Sequence, residues 1–327
     1  MQGGDAASDR RLTVFSGRAN PELAARVAGH LGVELGQITL KTFSAGETYC
    51  RYDESVRGAH VFIVQPICGN EDTGIETNDA LVELLLMIDA AKGASAHQVS
   101  AVMPWFGYSR QDKRSARREP ISARTVAHVL EAVGVDRVMS MDLHADQVQG
   151  FFRRPLDHLT ALYTLADYFR ERVEDVVVVS PDVGRVKLNH KFAERIGAEL
   201  ALMTKQRPEH QVAEIGYVLG DVEGKCAVIV DDIIDTAGTL KAAALTVREA
   251  GAKRVYAAAT HALMSGNAFE NLAEAAFEEI VVTDSVPLRA GVPENVVVLS
   301  CAPLIADTIG RVVAETSVSE VLEGGMY

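Results

Sequence analysis

The chain has 327 residues, 48% apolar and only 6% aromatic, enough for two domains with cores built mainly from Val, Leu, Ile and Ala. Its formal net charge of -13 excludes a general role on nucleic acid or on a membrane surface, since both need a basic face. Cys50, Cys68, Cys226 and Cys301 form no C-x-x-C pair, which excludes compact thiol motifs and points to buried, reduced thiols in a cytoplasmic protein.

Residues 1–10 are small and polar, lack the apolar stretch of a signal peptide, and read as a disordered tail. Leu12 to Ser16 is then a strand. Asn20-Pro21 opens a helix, with Asn as N-cap and Pro in the first helical position. Leu23, Val27 and Leu31 form its apolar stripe, and Gly32 ends it. His60 to Gln65 is a strand and Asn78 to Lys92 a helix. Glu83 and Asp89 interrupt that helix's apolar run, which is too short to span a bilayer. Val99 to Met103 is a strand, followed by Tyr108-Ser109-Arg110-Gln111-Asp112-Lys113-Arg114, then Arg117 and Arg118. Basic side chains after a strand end suit a polyphosphate, although charge runs in general are more often solvated loops. Ser122 to Val133 is a helix with Val126, Val129, Leu130 and Val133 on one face, and Arg137 to Met141 is a strand.

The second half repeats the alternation, with strands at Val176–Ser180, Cys226–Val230, Val255–Thr260, Ile280–Thr283 and Val296–Ser300. Such a pattern means mostly parallel sheets flanked by helices. Residues 56–64 resemble residues 222–230, and Lys92-Gly93-Ala94 resembles Ala250-Gly251-Ala252, so the two halves read as related α/β domains. The boundary is expected near Arg153-Arg154-Pro155. That gives a first domain over 11–154 and a second over 155–301, with the segment 302–327 packing its helix back on the first.

Ligands of open parallel sheets bind beyond the carboxyl ends of the strands. The sharpest signal there is Val230-Asp231-Asp232-Ile233-Ile234-Asp235-Thr236-Ala237-Gly238-Thr239, between an apolar strand and an amphipathic helix. Small and hydroxylated residues at such a turn leave backbone N–H groups for a phosphate. Two carboxylates before it can accept from vicinal sugar hydroxyls, so the run suits a ribose 5-phosphate. Met141-Asp142-Leu143-His144-Ala145-Asp146 and Ser180-Pro181-Asp182-Val183-Gly184-Arg185 follow two other strands. His144 and Asp182 are candidate partners of a hard cation only where oxygen supplies the other ligands.

The ten-residue run resembles the ribose-phosphate loop of type I phosphoribosyltransferases. Taken together, the motifs closely resemble the ribose-phosphate diphosphokinases, or phosphoribosyl-pyrophosphate synthetases, from about Leu12 to Leu322. Residues 141–152 resemble that family's signature almost throughout. The resemblance implies two tandem phosphoribosyltransferase-like domains and a magnesium-dependent transfer of the β,γ-diphosphate of ATP to the C1 hydroxyl of ribose 5-phosphate. It implies that Phe43, Ala45, Gly46, Glu47, Arg110, Gln111 and His144 bind ATP, the first four reaching a neighbouring subunit. It assigns magnesium to His144 and Asp182, and catalysis to Lys205 and Arg207. Arg207 also joins Asp231, Asp232 and the run Asp235, Thr236, Ala237, Gly238 and Thr239 on ribose 5-phosphate. Ser55, Arg57, Ser317 and Ser319 resemble a regulatory phosphate site, and the assembly implied is a homo-oligomer, commonly a hexamer.

Three departures stand out. Ala45 replaces the usual Asp or Asn, the loop from Lys205 to Gln211 is short and lacks an arginine, and Ser115 stands where some members are acidic. Two alternatives keep the fold and change the function: a phosphoribosyltransferase, against which the ATP-site residues count, and a non-catalytic paralogue, against which Lys205, Arg207, His144 and Asp231 count.

Overall fold

The computed structural model describes residues 11–205 and 216–318. The expected N-terminal tail, Arg207 and Ser319 lie outside these. Two compact units emerge: 11–160 with 285–287 and 300–318, and 161–284 with 288–299.

The first unit runs β1 (Leu12–Ser16), α1 (Pro21–Leu31), β2 (Ile38–Thr42), β3 (Thr48–Tyr52), β4 (His60–Val64), α2 (Thr77–Gly93), β5 (Gln98–Met103), α3 (Ser122–Ala132), β6 (Arg137–Met141) and β7 (Leu156–Leu159). Its sheet has the order β1-β4-β5-β6-β7, all parallel. Because β7 extends this sheet, the unit ends after Thr160 rather than near Arg154. The chain returns late to supply a further helix, Ala302–Val313, packed against α1. Asn20 caps α1 by accepting from Leu23 N–H at 3.2 Å, and Gly32 closes it with φ of 68°. Val129 is exposed rather than on the buried face of α3, where Ala123, Val126, Ala127 and Leu130 pack.

The second unit runs α4 (Leu162–Arg172), β8 (Val176–Ser180), a 3-10 turn (Val183–Arg185), α5 (Val186–Ile196), β9 (Glu199–Lys205), β10 (Gly216–Leu219), β11 (Cys226–Ile234), α6 (Gly238–Glu249), β12 (Arg254–Ala262), α7 (Ala268–Ala275), β13 (Ile280–Thr283) and β14 (Val296–Leu299), which makes the returning helix of the first unit α8. Its sheet has the order β10-β9-β8-β11-β12-β13-β14, parallel except at β10. Leu240, Ala243, Ala244 and Val247 of α6 are buried as their spacing predicts. The apolar run 226–230 does not end at the acids: β11 continues to Ile234 and carries Asp231 and Asp232 within it, still paired with β12.

The internal repeat is structural for residues 56–64 and 222–230, but the second pairing is out by two residues: Ala94 and Ala250 are the equivalent helix C-caps, so Gly251 corresponds to Ser95 rather than Gly93. Gly58 N–H donates to Ser95 O at 2.9 Å, and Gly224 N–H to Gly251 O at 2.9 Å. Ala59 N–H meets Val56 O at 3.1 Å, and Lys225 N–H meets Val222 O at 3.2 Å. Both glycines have positive φ, 70° and 67°, which is why the turn before each strand needs that residue. No described helix is long and apolar enough to cross a membrane.

Candidate active site

In the second unit, the carboxyl end of β11 carries the strongest chemistry. Ala237 has φ of 59°, a left-handed conformation that costs a residue with a Cβ and clusters at functional turns. It turns the chain from β11 into α6. The first helical bond of α6 is Lys241 N–H to Ala237 O at 2.9 Å, so the N–H groups of Gly238 and Thr239 precede the helical ladder and face the turn. Such a geometry, with the helix dipole behind it, is suited to an anion such as a phosphate. Ser265 Oγ holds the Asp235 carboxylate, and Asn271 Nδ2 donates to Thr236 O at 2.9 Å, so the loop is braced from the β12–α7 side.

Asp231 and Asp232 differ in environment. Asp232 is buried and its Oδ2 takes the Arg185 guanidinium. Asp231 Oδ1 accepts the Asp232 N–H at 2.9 Å. Burial first, and the Asp232 charge second, push the Asp231 carboxyl up to about 8. The nearby Arg185 guanidinium acts the other way on Asp231, and burial with the Asp232 charge outweighs it.

The turn after β8 is compact. Asp182 Oδ1 accepts Gly184 N–H at 2.9 Å, and Ser180 Oγ donates to Asp182 O at 2.9 Å. Asp182 is exposed. Magnesium takes oxygen donors, keeps several waters and needs only one or two carboxylates beside substrate phosphates. An exposed, oriented carboxylate at a strand end fits that demand. Among the described residues no group of three or more His, Cys, Asp and Glu could hold an ion by itself, so substrate oxygens would have to complete any site. Lys205 is the last residue of β9, a strand end where a flexible loop was expected to begin.

In the first unit, two loops meet. Gln111 N–H donates to Tyr108 O at 2.9 Å and its Oε1 accepts Ser122 Oγ at 2.5 Å, which ties the basic loop to the start of α3. Arg110 is exposed beside it. The buried Asp112 accepts from Gln147 Nε2, joining this loop to the segment that carries His144. That segment is pinned from β7: Thr160 Oγ1 donates to Asp142 Oδ1 at 2.6 Å, and His158 Nε2 accepts Leu143 N–H at 2.9 Å. His144 is exposed.

Phe43, Ala45, Gly46 and Glu47 form the tip of the β2–β3 hairpin, closed by Phe43 N–H to Glu47 O at 2.8 Å. Phe43 is 45% exposed, unusual for a phenylalanine and suited to covering a flat ring. Lys41 Nζ lies 5.2 Å from the centroid of its ring. Ser55 and Arg57 are exposed neighbours, with Arg57 N–H 3.4 Å from Ser55 Oγ. Ser317 is exposed, and its carbonyl accepts Arg311 Nη1 at 3.0 Å.

Burial pushes the Cys50 thiol up to about 11 and the Cys68 thiol to about 12, which disfavours thiolate chemistry at these two. A cleft of about 500 Å³ in the second unit lies at the amino ends of β8 and β9, lined by Asp175, Glu199 and Lys225, away from these loops. Sequence reasoning gave no role to Arg185, Asn271, Ser265 or Gln147. Arg185 and Gln147 lie inside runs the sequence singled out, but all four act across long sequence separations, so their partners leave no local pattern.

A doubly repeated parallel α/β fold, with an acidic strand end and a helix N-terminus after β11, defines the class of phosphoribosyl-handling enzymes. A family model described as the N-terminal domain of ribose phosphate pyrophosphokinase matches residues 12–134, and one described as the phosphoribosyl synthetase-associated domain matches residues 201–323. The chain is 47% identical to a ribose-phosphate pyrophosphokinase of Caldanaerobacter subterraneus, over 95% of this chain and 97% of that protein. It is 46% identical to the ribose-phosphate pyrophosphokinase of a Nostoc species, over 96% and 94%. The crystal structure of phosphoribosylpyrophosphate synthetase from Mycobacterium smegmatis superposes with a TM-score of 0.84 at 43% identity, covering 94% of this chain and all of that one. The chain belongs to the ribose-phosphate pyrophosphokinase family.

Proposed function

We propose that the protein is a ribose-phosphate diphosphokinase acting on ATP and ribose 5-phosphate. The observation that carries this reading is the turn after β11, where a left-handed Ala237 and a helix N-terminus follow two carboxylates in a member of this family. The 5-phosphate is received by the N–H groups around Gly238 and Thr239, with Asp235, Thr236 and Ala237 shaping the turn. Asp231 and Asp232 supply the acidic side of the sugar site. The first unit takes ATP: Phe43, Ala45, Gly46 and Glu47 for the base, and Arg110, Gln111 and His144 for the phosphates.

The C1 hydroxyl oxygen attacks the β-phosphorus, the bond from that phosphorus to the α–β bridging oxygen breaks, and AMP leaves. Such transfers depend on positioning and charge neutralisation more than on covalent chemistry. Lys205 and Arg207 neutralise charge that develops on the transferred group. Asp182 in the second unit and His144 in the first are the residues that would hold magnesium, which would supply neutralisation of phosphate charge. The protein works in the cytoplasm as a homo-oligomer, a hexamer on the family pattern, and supplies nucleotide biosynthesis. Inorganic phosphate activates it through Ser55, Arg57, Ser317 and Ser319, and Arg57→Ala should abolish that response.

The test is incubation with ATP, magnesium and ribose 5-phosphate, followed by nucleotide analysis. AMP is expected, and only when all three are present. ADP in its place would sink the diphosphate transfer. Consumption of the phosphoribosyl product with a free base as the sole activity would establish a phosphoribosyltransferase instead.

A further inference from the structure

Successive side chains of a strand point to opposite faces of its sheet. Asp231 and Asp232 are consecutive residues of β11, so both carboxylates cannot meet one sugar from the same side. Asp232 is 3% exposed and already holds a partner, Nη2 of Arg185, whose own side chain is 15% exposed. Asp231 is the more accessible of the two. Arg185 comes from the other phosphate-facing turn, where its N–H donates to Asp182 O at 3.2 Å. The buried Asn189, four residues on, makes a parallel link: its Nδ2 donates to Ser180 Oγ at 2.8 Å and to Val230 O at 3.1 Å.

We propose that Arg185 is a positioning residue of the ribose-phosphate site, bracing Asp232 so that Asp231 alone contacts the sugar hydroxyls, and locking the turn after β8 to the end of β11. The inference rests on the proposed reaction, and it divides the acid pair into one ligand contact and one brace. Asp232 is held by the guanidinium and is almost fully buried, whereas Asp231 is the acid that a sugar hydroxyl can reach. Arginine suits the task because its planar, permanently charged fork survives partial burial where a lysine would lose part of its hydration.

Steady-state kinetics on the full-length protein test this. Arg185→Ala should raise KM for ribose 5-phosphate about tenfold, the scale of one lost charge-assisted contact, and change KM for ATP by less than about twofold. Arg185→Lys should fall between wild type and Arg185→Ala, and it serves as the test variant where the alanine protein does not fold. Arg185→Met combined with Asp232→Asn removes the charge together with its partner, and should recover most of the lost affinity. A purely structural arginine would lower the melting temperature and leave the ratio of the two KM values unmoved. Unchanged KM for ribose 5-phosphate in a folded variant, equal rises for both substrates, or a double variant no better than the single would each overturn the proposal. Calorimetric titration with ribose 5-phosphate runs alongside. Loss of binding in Arg185→Ala would support the brace even if wild type released no AMP, a result that overturns only the reaction.

Discussion

The two units answer the same topological question with opposite chemistry. Each places a strand, a turn and a helix beside a second such set, β1 and β4 in one and β8 and β11 in the other. In the first unit the carboxyl ends of that pair are filled by the protein's own side chains. Gln65 Oε1 accepts Ala19 N–H at 2.9 Å, and Gln65 Nε2 donates to Glu83 Oε1 at 3.0 Å. Arg18 Nε meets Glu83 Oε2 at 2.6 Å. The space is so fully used that a Cβ on Gly17 would lie 2.2 Å from Gln65 Oε1. In the second unit the strand runs on through two acids, and the turn beyond it is held open by Ala237. Glu83 and Asp232 are both carboxylates buried against an arginine, but only the second has a partly exposed acid next to it. The duplicated bonds at the amino ends, by contrast, are the same in both. Architecture is kept by the backbone pattern, while the side chains at the strand ends are free to diverge.

This contrast can be broken most forcefully at Glu83. Glu83→Ala strands Arg18 and Gln65, and breaking a buried ion pair should cost about 3–5 kcal/mol of unfolding free energy. Denaturant unfolding measures it, and a loss below about 1 kcal/mol would mean that the first unit's network is not a plug.

In the second unit the largest effect belongs to turnover. Lys205→Ala should reduce kcat roughly 10²–10³-fold with ribose 5-phosphate binding nearly intact, the usual cost of one preorganised transition-state contact. Wild-type turnover would remove Lys205 from the mechanism.

Asp231 sharpens the difference between the two buried acids. Its carboxyl is raised to about 8 by burial and by Asp232. A raised folded value means that the neutral form contributes stability below the ordinary carboxylate range, and that this is lost as pH rises through the folded value. Asp231→Asn cannot ionise, so its melting temperature should exceed that of wild type by more near pH 9 than near pH 5. A difference independent of pH would contradict the shift.

The smallest effect concerns the turn itself. Ala237→Gly removes the steric cost of a left-handed alanine and loosens the unfolded chain, for a net gain of about 1 kcal/mol or less. Destabilisation on thermal unfolding would show that the turn is not strained.

Much of the architecture was legible because continuous apolar runs mark strands buried on both faces, as in β4 and the start of β11, and period-3.6 patterns mark the buried face of a helix. The β4–α2 and β11–α6 segments and the buried stripe of α6 follow from these. The β2–β3 hairpin did not: Ile38–Thr42 and Thr48–Tyr52 are half-exposed and polar, so burial left little periodic trace. Val129 has the spacing of a core residue, but α3 buries its neighbours Val126 and Leu130 and turns it outward. The acidic run at the end of β11 and the turn into α6 were legible as a strand-to-helix transition, since their residues are contiguous.

The sequence by itself determined the family, the alternation of elements and the acidic strand-to-helix transition from β11 to α6, all properties of short stretches or of whole-chain similarity. Only the tertiary structure decided which carboxylate is braced and which is left for a ligand, because Arg185 reaches Asp232 across two turns and Arg18 reaches Glu83 across a sheet and a helix. Ionisation and hydrogen bonding depend on what stands within a few ångströms, and chain folding alone brings such distant residues together.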